Sequence, residues 1–281
     1  MNGEETKSKD ETLNGKTTAA PCSSHCSVVF NYGGGRQSLA IIVLILKGII
    51  APPTKIIMAN TAREMPKTFA YLLQHVQPAL KPHGLQVEII PPREQYKTVY
   101  GAADKPMIPM YSRDENGDGK FGTFCTGTWK RDRMKTYLRG VPKGDRWIGF
   151  AWDEQRRINK LMASQEKNPD GWNYRFPLAE RMIQTKHCIQ IVENYGWPEP
   201  SVSRCWLCPN QKNAEWREVR EQPELWEAAC REDDEQREQD LFRGGRGVWL
   251  HHSRVPLREA DIDSDEDTTV VRQCSLGACF V

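Results

Sequence analysis

Three observations predict an α/β fold built on a parallel sheet. The apolar runs VVFNY (28–32), KIIMA (55–59), LQVEII (85–90) and RWIGFA (146–151) have the length and the aliphatic and aromatic content of strands. Helix-like stretches near 37–48 and 66–80 separate the first three runs, and such alternation is what a crossover-connected parallel sheet requires. Three consecutive glycines, Gly33-Gly34-Gly35, follow the first run and precede a helix, at the sheet edge where such folds receive ligands.

Composition sets the bounds. A chain of 281 residues can build one large α/β domain with an appended module. Its 39 basic and 37 acidic side chains leave a net charge of +2, so no global field draws it to nucleic acid or membrane, and any such partner must use a local patch. The most apolar segment, IIVLILKGIIA (41–51), contains Lys47 and is far shorter than the roughly 20 residues that span a bilayer, so it reads as a buried helix and no membrane partner is expected. The N-terminal stretch is rich in Lys, Glu, Thr, Asn and Gly and has no apolar signal core, which predicts a disordered tail over 1–25 and a cytoplasmic protein. Nine cysteines in such a chain suggest metal or redox chemistry more than a disulfide framework.

Beyond the tail the expected division is an α/β domain over 26–165, a helical module over 166–243 and a C-terminal tail over 244–281. Residues 91–124 are polar and loop-like, and DENGDG within them matches half an EF-hand loop, but the twelfth position is Cys125, so a polar turn is expected. Helical character resumes at 128–140 with Lys130, Arg131, Arg133, Lys135 and Arg139. It continues at 177–196 and 214–239, on either side of SRCWLCP (203–209). Tryptophans beside basic residues, Trp216-Arg217 and Trp129-Lys130-Arg131, would suit stacking on nucleic-acid bases.

The glycine loop lets consecutive backbone N–H groups converge, and the following helix adds its N-terminal partial charge, so an anion is favoured. Ser38 can donate a hydroxyl or cap the helix, and Arg36 can reach a phosphate oxygen. The loop lacks both the Gly-Lys-Ser/Thr ending of a Walker loop and the spaced glycines of a dinucleotide fingerprint. Cys205 and Cys208 form a CxxC that can be joined by the distant Cys125, and this pattern alone leaves zinc, an iron–sulfur cluster and a redox pair open. Cys22, His25 and Cys26 in the tail have metal-compatible spacing by chance, and Cys188, Cys230, His251 and His252 read as structural.

NYGGGRQS resembles the PP-loop of the adenine-nucleotide alpha-hydrolase superfamily. MANTAREMPKTFAYL, CTGTWKR, IGFAWDEQRRI, PLAE, SRCWLCPNQ with EWR, LHHSRVPLREAD and the terminal cysteine pair resemble, in order, its phosphoadenosine phosphosulfate (PAPS) reductase branch, in the form common in phages and mobile elements, with the sulfurtransferase of DNA phosphorothioation as a more distant relative. The resemblance implies a Rossmann-like sheet sandwiched by helices, with a C-terminal helical module bearing the cysteines. It implies that Gly33, Gly34, Gly35, Arg36, Gln37 and Ser38 hold the phosphates of ATP or a PAPS-type nucleotide. Asn60, Arg63 and Glu64 would flank adenine and ribose, while Asp153, Arg156 and Arg157, with Glu154 beside them, would meet the phosphate or sulfate. Cys125, Cys205 and Cys208 would hold a [4Fe–4S] cluster or, alternatively, zinc, with Cys279 or Cys274 as fourth ligand. Cys274 is also the candidate nucleophile on sulfur, helped by Arg272. Gln37 stands where many members carry Asp and Asn31 where many carry Ser, so magnesium handling and ATP hydrolysis are put in question while nucleotide binding is not. The implied activity is sulfur transfer or reduction, or adenylylation of an acceptor, with a nucleic acid or a sulfur-donor protein as further partner. The other reading is a nucleotide-binding regulatory module with a structural zinc.

Overall fold

Val28–Asn31 (β1), Lys55–Ala59 (β2), Val87–Ile90 (β3), Asp145–Ile148 (β6) and Asn173–Arg175 (β7) form one parallel sheet in the order β3-β2-β1-β6-β7. The structure, a computed structural model, describes residues 27–92, 108–115, 117–200, 202–238 and 247–264. The expected tail over 1–25, Cys22, His25 and Cys26, and the terminal Arg272, Cys274 and Cys279 therefore lie outside the described residues.

Helices cover both faces, and the strand periodicity decides which side chain goes where. Phe30, Ile56 and Met58 pack with Ile41, Ile42 and Ile45 of α1 (Arg36–Leu46), with Leu72, Val76 and Leu80, and with Cys188 and Val192 of α6 (Thr185–Glu193). Val29, Ile57 and Ile148 face the other way, onto Met134 of α4 (Asp132–Tyr137), Leu138 and Leu161 of α5 (Gln155–Lys167). Every residue of α1 from Ser38 to Ile45 is buried, because the sheet lies on one side of the helix and α6 on the other. That double cover explains an aliphatic run with no polar stripe. The helical stretch after β2 runs through α2 (Pro66–Tyr71), a π-helical segment (Leu72–Val76) and α3 (Gln77–Leu80). The irregular turn directly precedes Pro78, which has no N–H to continue the α-helical ladder.

The α/β arrangement extends past the expected boundary at 165, since β7 joins the sheet and α6 packs on α1. The region expected as loop over 91–124 contains a hairpin, β4 (Tyr111–Asp114) and β5 (Gly117–Lys120). The chain reverses between Asp114 and Gly117, and the other described residues of DENGDG, Asp114 and Gly117 to Gly119, are paired in the hairpin strands. β8 (Gly247–Trp249) pairs antiparallel with β4. Two helices, α7 (Asn213–Arg220) and α8 (Pro223–Glu238), stand where one helix-rich run was expected, and the break falls at Pro223. These helices and the small sheet enclose a second core of Met110, Trp129, Leu207, Trp216, Val219, Cys230 and Leu250. Trp216 is fully buried and Trp129 nearly so, which removes both from the base-stacking surface the sequence suggested.

Asp233 on α8 fastens the last described segment. Its carboxylate accepts the N–H of Leu250 at 2.7 Å and of Leu257 at 2.7 Å, and pairs with Arg237. Asp233→Ala leaves two buried donors and a guanidinium without that partner, and should lower unfolding stability in urea by about 3–5 kcal/mol; a loss below about 1 kcal/mol would show that the segment is held by apolar packing alone.

Candidate functional site

The chain runs from β1 outward through β2 to β3, then restarts on the other side of β1 with β6, so the strand order reverses between β1 and β6. Ligand crevices open at such a reversal. The glycine loop follows β1 and the turn Gly149–Glu154 follows β6, and the two meet there: a Cβ on Gly149 would lie 3.6 Å from Gln37 Cβ and 3.6 Å from Ser38 Oγ.

Gly34 has φ +72°, and a Cβ there would come within 2.5 Å of Thr68 Cγ2, so only glycine fits. Gly35 sits at the N-cap of α1 in place of a capping side chain, and Ser38 Oγ accepts the Gly33 N–H at 2.9 Å. Asn31, Gly33, Gly35, Gln37, Ser38, Gly149 and Arg157 line a small cavity of about 20 Å³. Arg36 belongs to neither cavity. It turns to the Pro200 carbonyl at 3.2 Å and Glu199 at 3.5 Å, so the phosphate role expected of it is not where the structure puts its guanidinium.

Asn31 is explained by a residue that sequence reading passed over. Arg146 on β6 is 2% exposed and needs acceptors, and the Asn31 amide oxygen, oriented toward it, accepts from Nε at 3.1 Å and Nη2 at 3.2 Å. Tyr174 and Asp170 complete its surroundings at 3.3 and 3.6 Å. The signal was available as an arginine heading the apolar run RWIGFA, since charges are almost never fully buried without partners.

A larger cavity of about 450 Å³ adjoins the first. Its wall includes Cys125, Cys205, Cys208, Lys130, Asp153, Glu154, Arg156 and Arg157, and Arg157 lines both cavities. Residues 203–206 are stitched to the loop after β2, with Met65 N–H on the Arg204 carbonyl at 3.0 Å, Trp206 N–H on the Arg63 carbonyl at 2.8 Å, and a bridge between Glu64 and Cys205. Ser203 consequently touches the glycine loop: a Cβ on Gly35 would lie 3.6 Å from Ser203 Cβ.

Burial pushes all three thiols upward, Cys205 well above its ordinary value and Cys208 up to about 12. Lys130 stands among them. Burial opposes its charge, but the Glu64 carboxylate at 2.7 Å, with Cys205 and Cys125 adding to it, holds its pKa above the ordinary value. Soft thiol donors suit zinc or an iron–sulfur cluster. Among the described residues no group of three or more His, Cys, Asp or Glu side chains is drawn together as a metal site, and the three thiols line one cavity.

The remaining expected residues fall outside the cavities or are engaged in the fold. Arg63 is buried, stacks on Trp129 with its guanidinium 4.7 Å from the ring centroid, and faces Glu232 at 4.0 Å. Asn60 accepts the Ala62 N–H at 2.7 Å in a local turn. Glu64 is Lys130's partner and lines neither cavity. Asp153 lines the large cavity, yet its Oδ1 accepts from Thr185 N–H at 2.9 Å and Thr185 Oγ1 at 3.1 Å at the start of α6, which makes it a helix-capping group. Of the basic stretch, Lys130 faces inward, Arg133 donates to the Pro91 carbonyl at 2.7 Å, and Arg131, Lys135 and Arg139 are exposed.

No family model matches the chain and no curated protein matches it. Among the described residues no helix is long and apolar enough to cross a membrane.

The Glu64 side chain is 1% exposed and pairs with Lys130 at 2.7 Å. Lys130→Met should cost about 3–5 kcal/mol of stability by leaving that carboxylate buried without its cation, and adding Glu64→Gln should restore most of it. Equal losses in the single and double variants, measured by chemical denaturation, would show that the pair is not coupled.

Proposed function

We propose that the chain is a PAPS reductase-like enzyme of the PP-loop type, which binds an adenine nucleotide by its phosphates on Gly33–Ser38 and performs sulfur transfer or reduction in the adjoining thiol-lined cavity. The observation that carries this reading is Arg157, whose side chain lines both the glycine-loop cavity and the cavity bearing Cys125, Cys205 and Cys208. A nucleotide seated on the loop would direct its phosphate or sulfate end past this guanidinium toward the thiols. The larger cavity, at about 450 Å³, lies within the roughly 300–1,000 Å³ of small-molecule sites.

Within that reading the glycine loop supplies N–H groups and the α1 N-terminus to the anion. Arg156 and Arg157 neutralise charge on the transferred group, a task suited to guanidinium forks. Cys125, Cys205 and Cys208 would hold an iron–sulfur cluster, with the terminal Cys279 or Cys274 completing the set. Bound there, a cluster supplies a site for electrons or sulfide. Lys130 places a positive charge beside Cys125, which offsets part of the upward push that burial gives that thiol. The helices and antiparallel sheet after the α/β sheet serve in this reading as the cysteine-bearing module. The substrate in this reading is free PAPS or a nucleic-acid base or backbone, with a sulfur-donor protein as a further partner.

One observation favours the second reading, a nucleotide-binding module with structural zinc: among the described residues, those lining the glycine-loop cavity include no carboxylate to receive magnesium, and Glu154 behind them is engaged by Arg157 and Gln37.

Anaerobic purification should yield iron and acid-labile sulfide in cluster proportion, with loss of both in Cys205→Ser. Stoichiometric zinc without iron would overturn the cluster and support the second reading. Gly34→Ala, strained at positive φ and clashing with Thr68, should weaken ATP binding by tenfold or more, and unchanged binding would remove the loop from the account.

A further inference from the structure

Glu154 sits between the two cavities and its carboxylate engages the groups around it. Oε2 accepts the Ala151 N–H at 2.9 Å and the Gln37 amide N–H at 3.4 Å, and Oε1 pairs with Arg157 Nη1. Two of these donors, Gln37 and Arg157, line the glycine-loop cavity. In this arrangement that cavity measures about 20 Å³, room for about one water and far too little for a phosphate group. The two donors that could grip an incoming anion are engaged by a carboxylate instead.

We infer that Glu154 is an internal anion that competes with the ligand's phosphate or sulfate for Arg157 and Gln37, and so sets the affinity of the cradle. The inference rests on the nucleotide reading given above. Binding exchanges one anionic partner of Arg157 for another: the guanidinium leaves Glu154 Oε1 and takes a ligand oxygen, and the Gln37 amide is released with it. The Ala151 N–H remains on Glu154 and keeps the carboxylate near the site, so a cost of like-charge proximity is added to every anion bound. Gln37 fits this design, because an aspartate at 37 would place two carboxylates in contact, whereas the amide donates to one.

The competition makes an unusual prediction, that removing a charged residue from the site strengthens binding. Titration of the full chain with ATP, and separately with inorganic pyrophosphate, both in EDTA, compares wild type with Glu154→Gln and Gly34→Ala. Glu154→Gln retains an oxygen to accept the Ala151 N–H and loses the charge and the oxygen that pairs with Arg157. It should bind either probe about tenfold more tightly than wild type, with a lower thermal unfolding midpoint that the bound probe restores, because Arg157 has lost its internal anion. If wild type binds, Gly34→Ala abolishes binding and Glu154→Gln is unchanged or weaker, the cradle stands and the competition is wrong. If none of the three binds, or Gly34→Ala binds like wild type, the nucleotide reading of the loop fails and takes the inference with it. Should Glu154→Gln fail to fold, Glu154→Asp, whose shorter carboxylate reaches Arg157 less well, should show a smaller gain, and a loss of affinity there would overturn the proposal.

Discussion

Two backbone hydrogen bonds hold the site together, Met65 N–H to the Arg204 carbonyl and Trp206 N–H to the Arg63 carbonyl. They tie the CxxC segment to the loop after β2 and bring Cys205 beside Glu64, which in turn holds Lys130 near Cys125. Residues far apart in the chain thereby reach one cavity. Side chains reinforce the stitch from outside: Arg204 and Lys67 both pair with Glu218 on α7, so the segment, α2 and α7 share one carboxylate. Exposed pairs of this kind contribute little singly, and the buried Glu64–Lys130 pair is where removal of a partner is costly.

Asn31 and Gln37 have local physical reasons. Asn31 answers the buried Arg146, which a hydroxyl could do only in part, and Gln37 answers Glu154. Each amide satisfies a specific charged neighbour, and both neighbours sit on or just after β6, across the strand-order reversal. The cradle and the turn after β6 are in this sense one unit, with Arg157 as the guanidinium common to both cavities.

The five-stranded sheet was legible in part because β1, β2, β3 and β6 are apolar runs whose burial needs no distant partner to be inferred. β4 and β5, YSRD and GDGK, carry no such pattern and take their third strand from β8, more than a hundred residues on, so they read as loop. The glycine loop was legible because Gly34 needs its positive φ whatever surrounds it. The directions of Arg36 and Arg63 were not: each is set by acceptors or rings contributed from remote segments, Glu199 in one case and Trp129 in the other. Trp129 and Trp216, which look like stacking surface beside basic residues, are core, because their rings fill the second hydrophobic cluster.

The continuity of the two cavities through Arg157 is the claim on which the functional account stands, and a crystal structure of the chain with ATP tests it most directly. The account predicts phosphates against the Gly33–Ser38 backbone, Arg157 on a terminal phosphate oxygen, and that phosphate facing the cavity of Cys125, Cys205 and Cys208. A nucleotide bound elsewhere, or phosphates on the loop with their free end directed away from the thiols, would contradict it.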